Sequence, residues 1–146
     1  MIRYLTESDI QKLLTMPIAL EAMEEAHRAL AEHRAIDVPR ARIHLPTGTQ
    51  HVLQAAAPEL GFIGFKYYYT RPTGKSFYVH LMNTETAKLE AIIEAVWMSM
   101  VRTGAASGVA TKHLANQDAS VLGQIGSGYQ GESQLEAVCQ VRRIKK

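Results

Sequence analysis

Cysteine is nearly absent from this 146-residue sequence, which contains one, Cys139. A single thiol excludes an internal disulfide and fits a reducing compartment. Because Cys139 falls in a segment of helical apolar periodicity, we expect a packed thiol rather than a nucleophile. The six histidines form no HExxH motif, and one cysteine cannot build a Cys/His cluster, so no metal site is expected. A GxSxG nucleophile elbow is also missing.

Long apolar runs and an excess of one charge are missing as well. The net charge is +2, the calculated pI is about 8.7, and the basic residues are scattered. This argues against a nucleic-acid or membrane partner. The most apolar stretch, residues 91–110, is interrupted by Glu94 and Arg102, so it does not predict a membrane span. With 47% hydrophobic and 21% charged residues, the composition predicts a soluble, cytoplasmic, globular protein.

Helical and alternating patterns divide the chain. Thr6 and Asp9 have the spacing of a capping box, which predicts a first helix, and apolar spacing after Pro17 predicts a second over residues 18–34. Residues 40–93 instead alternate apolar and polar side chains between turns, which predicts antiparallel hairpins. From Ala95 onward the pattern is helical again. We therefore predict an α/β protein whose amino-terminal α+β part contains a mainly antiparallel sheet.

A run of small residues interrupts the predicted helix after Ala95. Gly104, Ala105, Ala106, Ser107 and Gly108 lie together, although such residues usually weaken a helix. Their clustering predicts close approach of another backbone or of a bound ligand.

The spacing Gly126-x-Gly128-x-x-Gly131 is that of a dinucleotide-binding loop. The first glycine permits a tight bend, the second lets a pyrophosphate approach, and the third allows close helix–strand packing. An apolar segment, residues 119–125, precedes the loop as a buried-strand candidate, and an amphipathic helix follows. A plain strand–helix turn is the alternative. The acidic residue that would hold the ribose is expected about 20 residues further on, so we expect it, and the second strand, beyond Lys146.

Three isolated cations are a second signal. Arg42 and Lys66 each lie on a predicted strand opposite an apolar face, and Arg102 interrupts an apolar helix. A guanidinium can bind a carboxylate through two parallel hydrogen bonds. Each cation alone is more typical of a solvated surface charge, and no spacing joins the three into one site.

The segment "MVRTGAASGVATKHLANQDASVLGQIGSGYQGESQLEAV" resembles the ornithine cyclodeaminase/mu-crystallin family, and the resemblance extends upstream through "VPRARIHLP" and "GFKYYY". It implies a substrate-binding and dimerisation domain over residues 1–115, followed at 116–146 by the start of a Rossmann domain that binds NAD or NADP. It also implies a homodimer. Members transfer a hydride at the α-carbon of an amino acid or cyclic imine, as ornithine cyclodeaminases, alanine dehydrogenases or ketimine reductases.

The resemblance assigns roles to individual residues. Substrate-binding positions are Arg42, Lys66 and Arg102. Cofactor-binding positions are Arg102, Thr103, Gly126, Gly128, Tyr129, Gln130 and Gly131. The family's catalytic aspartate lies in its second half, so no catalytic residue is assigned in this sequence.

The sequence therefore predicts the amino-terminal part of an NAD(P)-dependent oxidoreductase or deaminase, without turnover as this chain alone. A non-catalytic ligand-binding or assembly module of the mu-crystallin type is one alternative, and a degenerate remnant is another. We expect residues 1–115 to hold most of the stability and residues 120–146 to exchange amide hydrogens first.

Overall fold

A six-stranded sheet and a set of helices make up the computed structural model, which describes all residues from Met1 to Lys146. The sheet has the strand order β1-β6-β5-β4-β3-β2, in which only the pairing of β1 with β6 is parallel. The strands are β1 (Arg3–Leu5), β2 (Ile36–Leu45), β3 (Gly48–Ala57), β4 (Phe62–Arg71), β5 (Gly74–Asn83) and β6 (Leu89–Glu94). The predicted α/β class and mainly antiparallel sheet are confirmed. Strand β1 was not predicted, because three residues are too few to show alternation.

The helices are α1 (Glu7–Leu13), α2 (Met16–Ala31), α3 (Val96–Leu114) and α4 (Tyr129–Val141). The capping box at α1 is confirmed: the Asp9 amide donates to Thr6 Oγ1 at 3.3 Å, and the Thr6 amide donates to Asp9 Oδ2 at 3.0 Å. These reciprocal bonds satisfy backbone donors that a helix start otherwise leaves without partners.

The chain contains two compact units. The first consists of Met1–Ile10 and Arg28–Val96 and holds the sheet; the second consists of Gln11–His27 and Trp97–Lys146 and holds the helix cluster. In the second unit, Met16, Ala19, Met100, Val101, Ala105 and Ala137 form a buried core. Trp97 packs against it and donates through Nε1 to the Leu14 carbonyl at 3.4 Å.

The small-residue run of α3 contacts other backbone closely, as predicted. A Cβ on Gly104 would overlap the carbonyl of Ser133 in α4 and lie 2.8 Å from its side chain. One turn later, a Cβ on Gly108 would lie 2.6 Å from Leu20 and 3.0 Å from the Ala137 side chain. Glycine is therefore required in α3 because α4 crosses it without room for a side chain.

Residues 119–127 correct the prediction of a buried strand, because they form no regular strand. Val121 is 69% exposed and Ile125 fully exposed. Their only strand-like partner is the end of the chain: the Leu122 amide donates to the Lys146 carbonyl at 2.8 Å, and the Lys146 amide donates to the Ser120 carbonyl at 3.3 Å. This is the bonding pattern of parallel strands. No strand is assigned after α4, so the position of the second strand stays a prediction.

Cys139 is a second correction, because its side chain is exposed on α4 rather than packed. The buried positions of this helix are Ser133, Ala137 and Val138. Because these residues form the buried face of the helix, residue 139 lies on the solvent side. The prediction of a packed thiol, which relied on apolar spacing alone, is therefore wrong. Separately, no helix of the chain has both the length and the apolarity needed to cross a membrane.

Candidate functional site

Arg42 and Lys66 lie on the same face of the sheet, on β2 and β4. Arg42 pairs with His51 of β3, and His51 pairs with Tyr68 of β4. Directly paired residues share a face, and so do residues two apart along one strand. Lys66 therefore lies on this face, next to Tyr68 and one row from Arg42. The structure thus brings two of the three predicted substrate cations together.

Tyr68 is the centre of a cluster of rings and cations on this face. Its ring is 8% exposed and stacks against His51 at 4.3 Å and Phe77 at 4.5 Å between ring centroids. The Lys66 ammonium lies 5.4 Å from the Tyr68 centroid and the Arg40 guanidinium 5.9 Å from it. Both distances fall within the range of cation–π attraction. The Tyr68 ring therefore attracts both cations to one surface of the sheet.

The His51 ring is polar but not satisfied by the chain. Burial, followed by the positive charges of Arg42, Arg40 and His44, holds the pKa of His51 below its ordinary value of 6.5. Its Nδ1 atom is buried without a hydrogen-bond partner. Arg42 forms no ion pair, so its guanidinium lies unpaired beside the unsatisfied imidazole of His51. Such a surface favours an anion.

A different local feature bears on the presence of glycine at each of the three positions of the loop. Gly126 has a φ of 95°, a left-handed conformation that side chains disfavour. A Cβ on Gly131 would lie 2.5 Å from Gln124 Nε2 and 3.1 Å from the Gly126 carbonyl oxygen. Gly128 has an ordinary φ of −78°, and a Cβ there would meet nothing within 4 Å. Nothing in the protein therefore requires glycine at residue 128. The space that a side chain would occupy there is open.

Helix α4 begins directly after this space. Gly128 is its N-cap, and no side chain caps the helix. The first amides of a helix and its dipole attract anions. Gln124 braces the loop by donating through Nε2 to the Gly126 carbonyl at 2.9 Å. A cavity of about 400 Å³ adjoins the loop. It is lined by Leu122, Gln124, Gly126, Ser127, Leu135, Ile144 and Lys146.

Arg102 and Thr103 lie on α3, half-buried, within two residues of the crossing with α4 at Gly104. Thr103 Oγ1 donates to the Ser99 carbonyl at 2.7 Å, so its hydroxyl is held against its own helix. Tyr129 and Gln130 occupy the first turn of α4, and Tyr129 is 43% exposed. These four residues belong to the helical unit, as the glycine loop does, whereas Arg42 and Lys66 belong to the sheet unit.

Sequence reasoning missed Arg40, His51 and Tyr68 as members of the sheet-face cluster. Alternation along each strand puts Arg40 on the face of Arg42 and Tyr68 on the face of Lys66, but it does not relate one strand to the next. The signal that joins them is the register across β2, β3 and β4. That register could have been counted back from the turns between the strands.

Comparison with known proteins gives a consistent result along the whole chain. The sequence model of the ornithine cyclodeaminase/mu-crystallin family matches residues 3–146. The alanine dehydrogenase of Archaeoglobus fulgidus is 33% identical over 144 residues, which are 94% of this chain and 44% of that protein. The chain spans about half the length of the curated relatives it matches.

Two solved structures are similar over nearly every residue. An archaeal alanine dehydrogenase dimer with bound NAD superposes with a TM-score of 0.93 at 31% identity, covering 98% of this chain and 46% of that one. The pyrroline-2-carboxylate reductase of Thermococcus litoralis, in complex with NADH and L-proline, gives a TM-score of 0.91 at 31% identity, covering 99% and 47%.

Proposed function

The chain belongs to the ornithine cyclodeaminase/mu-crystallin family, and from this premise we propose that it forms the amino-terminal part of an NAD(P)-dependent oxidoreductase. Its substrate is a small amino acid or cyclic imine, and the reaction is hydride transfer at the α-carbon. The observation that carries the proposal is that Arg42 and Lys66 share one face of the sheet, where the Lys66 ammonium lies 5.4 Å from the centroid of the Tyr68 ring.

In this proposal the sheet face binds the α-carboxylate of the substrate. Arg42 donates two parallel hydrogen bonds to it, and Lys66 adds a point charge. The rings beneath Lys66 and the packing of Tyr68 restrict the motion of the ammonium group. Fixing the carboxylate orients the α-carbon for reaction. Arg102, on α3 of the helical unit, is the third substrate-binding position that the resemblance implies, and its role stays part of the proposal.

The glycine loop fits a dinucleotide. The open space at Gly128, the bend at Gly126 and the uncapped start of α4 provide what a pyrophosphate needs. Thr103, Tyr129, Gln130 and Gly131 are the further residues proposed to hold it. When bound, the nicotinamide cofactor supplies or accepts the hydride. Residues 116–146 accordingly form the first part of an NAD(P)-binding domain in this proposal.

Ligand titration of the isotopically labelled chain, followed by NMR, tests the substrate site. L-Proline and pyrroline-2-carboxylate are expected to shift resonances of Arg42, Lys66 and their neighbours. Arg42→Gln should weaken binding about tenfold or more, because a hydrogen bond to a charged group is worth roughly 1.5–3 kcal/mol. Arg71→Gln is the matched control, since Arg71 lies on β4 but on the face of the sheet opposite to Lys66. Equal affinity of the Arg42 variant and the wild type would refute the site.

We further propose that two chains associate through the other face of the sheet. That face exposes Ile36, Val38, Ile43, Leu45 and Ile63, each at least 41% exposed. Part of it forms a groove of about 500 Å³. A contiguous apolar patch of this kind is typical of an interface.

Sedimentation analysis tests this homodimer. Ile43→Lys is expected to yield a monomer, because it would bury an unpaired charge in the interface. Val121→Lys, at an exposed apolar residue of the helical unit, should leave the dimer intact. A monomeric wild type, or a dimeric Ile43 variant, would contradict the proposal.

A further inference from the structure

Arg71 lies on the sheet face that exposes Ile43 (the Ile43 face). Ile43 pairs with Gln50 and Gln50 with Tyr69, and Arg71 is two residues beyond Tyr69 on β4. Residues two apart along a strand share a face. The exposed guanidinium donates to Thr73 Oγ1 through Nε at 3.2 Å and Nη2 at 2.8 Å. Its Nη1 atom donates to no group of the chain, and no carboxylate pairs with it.

Glu94 lies on the same face, at the end of β6. It pairs with Tyr78, which pairs with Tyr67 of the Ile43 face. The half-buried carboxylate accepts from the Tyr4 hydroxyl through Oε1 and from the Glu7 amide through Oε2, both at 2.8 Å. A carboxylate has about four acceptor positions, so about two remain. No cation of the chain pairs with Glu94.

Aromatic rings lie beside this carboxylate. The Tyr67 and Tyr78 rings stack with centroids 5.5 Å apart, and the His80 ring lies 5.6 Å from Tyr67. The hydrogen bond to Glu94 raises the pKa of Tyr4 above its ordinary value of 10.0, and the Tyr78 and Tyr67 phenols lie near enough to add to this shift. A guanidinium stacks on aromatic rings and donates two parallel hydrogen bonds to a carboxylate. The surroundings of Glu94 therefore suit an arginine.

Arg71 and Glu94 are too far apart to meet within one chain. Arg71 is four residues beyond Tyr67 along β4, about 13 Å, and Glu94 lies two strands across from Tyr67, about 10 Å. The two Cα atoms are thus about 16 Å apart. In a twofold-symmetric dimer, however, every contact between two different residues occurs twice. Two chains that place Arg71 on Glu94 therefore satisfy both groups in both chains.

We propose that two reciprocal ion pairs orient the homodimer, in which Arg71 of each chain binds Glu94 of the other beside the rings of Tyr67 and Tyr78. This inference rests on the proposed dimer and specifies how its two chains are aligned. A charge buried in the interface without a partner would destabilise the dimer, whereas pairing compensates both charges. The apolar residues of the Ile43 face supply the buried area, and the two pairs select one orientation among those that the apolar residues allow.

An exchange of charge between two variants of the full chain tests the pairs. Arg71→Glu and Glu94→Arg each place like charges opposite each other in their own homodimer. Sedimentation equilibrium should give each a dissociation constant at least about tenfold above that of the wild type. In an equimolar mixture, the heterodimer contains both pairs with their charges complementary, so it should form within about threefold of the wild-type affinity. Lys75→Glu is the matched control, since Lys75 lies on the same hairpin but on the other face, over the Phe77 ring.

Salt dependence gives a second readout that does not require Glu94→Arg, which removes the acceptor of Tyr4 and Glu7 and must be shown by thermal melting to fold. The wild-type dimer should weaken between about 0.05 and 0.5 M sodium chloride, because salt screens the attraction within each pair. The Arg71→Glu dimer should instead strengthen over this range, because salt screens a repulsion. Arg71 is exposed, so this substitution leaves the packing of the chain intact.

The outcomes separate the ion pairs from the dimer itself. If Arg71→Glu dimerises as tightly as the wild type, or if the mixture of folded variants associates no more tightly than either variant alone, the ion pairs are refuted. The proposed dimer then stands if Ile43→Lys still yields a monomer. A wild-type chain that remains monomeric refutes both the dimer and the pairs, and leaves the substrate site to be judged by its own titration.

Discussion

The carbonyl oxygen of Ser133 occupies the place where a side chain on Gly104 would begin. Helices α3 and α4 therefore cross with backbone against backbone, and this contact fixes where α4, and the glycine loop before it, lie relative to Arg102 and Thr103. Glycine lowers the intrinsic helix propensity of α3, and the close packing of α4 against it offsets this loss of stability.

Replacing Gly104 by alanine tests the crossing. The new Cβ would meet the backbone carbonyl group of Ser133, so a change of side-chain rotamer cannot relieve the strain. We therefore expect a loss of roughly 1–3 kcal/mol in the free energy of unfolding. Chemical denaturation followed by Trp97 fluorescence measures it. Gly123→Ala is the control, since a Cβ there meets nothing within 4 Å. Equal stability of the two variants would contradict the packing described.

The loop glycines should respond differently to the same substitution. Gly126→Ala places a side chain at a φ of 95° and should cost about 1–2 kcal/mol of stability. Gly128→Ala has neither strain nor clash, so stability should stay within about 0.5 kcal/mol of the wild type. If a pyrophosphate occupies the space in front of Gly128, the same variant should lose most NADH binding, measured by ligand fluorescence. Unaltered NADH affinity would argue against that placement.

Arg142 joins the ends of α3 and α4. Its Nη2 donates to the carbonyls of Thr111, Lys112 and Ala115 at 3.0, 3.0 and 2.8 Å. All three carbonyls lie at the carboxyl end of α3, where acceptors run short of intrahelical donors, although the Thr111 carbonyl also accepts from the Ala115 amide at 3.1 Å. Arg142→Ala should lower the free energy of unfolding by about 1.5–3 kcal/mol, as expected for hydrogen bonds from a charged donor. The exposed neighbour Arg143→Ala should change it by less than about 0.5 kcal/mol; similar losses would show that Arg142 has no special role.

Glu24 gives a prediction for acid stability. Hydrogen bonds from Lys112 and then His113 hold the pKa of Glu24 below its ordinary value of 4.5 in the folded chain. A carboxyl with a lowered folded-state pKa stabilises above its unfolded pKa, and that contribution is lost as the pH falls through the folded value. Glu24→Gln should therefore lower stability near neutral pH and reduce its dependence on pH below about 4.5. Glu21→Gln, on the exposed side of α2, is the comparison. Identical acid profiles for wild type and Glu24→Gln would refute the coupling.

Elements with many repeats of a pattern were predictable from sequence, because α2 and β4 are long enough, at 16 and 10 residues, for their apolar spacing to recur. The close approach at Gly104 was predictable for a similar reason, since several small residues occur together. The cluster around Tyr68 was not, because it depends on the register between three strands. Residues 119–127 were predicted wrongly: apolar residues there indicate a buried strand only if other strands cover them. Their rapid hydrogen exchange stays a prediction.

The placement of Trp97 against the helix core has a spectroscopic consequence. Trp97 is the single tryptophan and lies in the helical unit, whereas five of the six tyrosines lie in the sheet unit: Tyr4, Tyr67, Tyr68, Tyr69 and Tyr78. Emission excited at the red edge of indole absorption therefore reports the helices alone. Near-ultraviolet circular dichroism from the stacked phenol rings reports the sheet. The chain thus carries its own pair of optical probes, with which the melting of each unit can be followed separately and without a label.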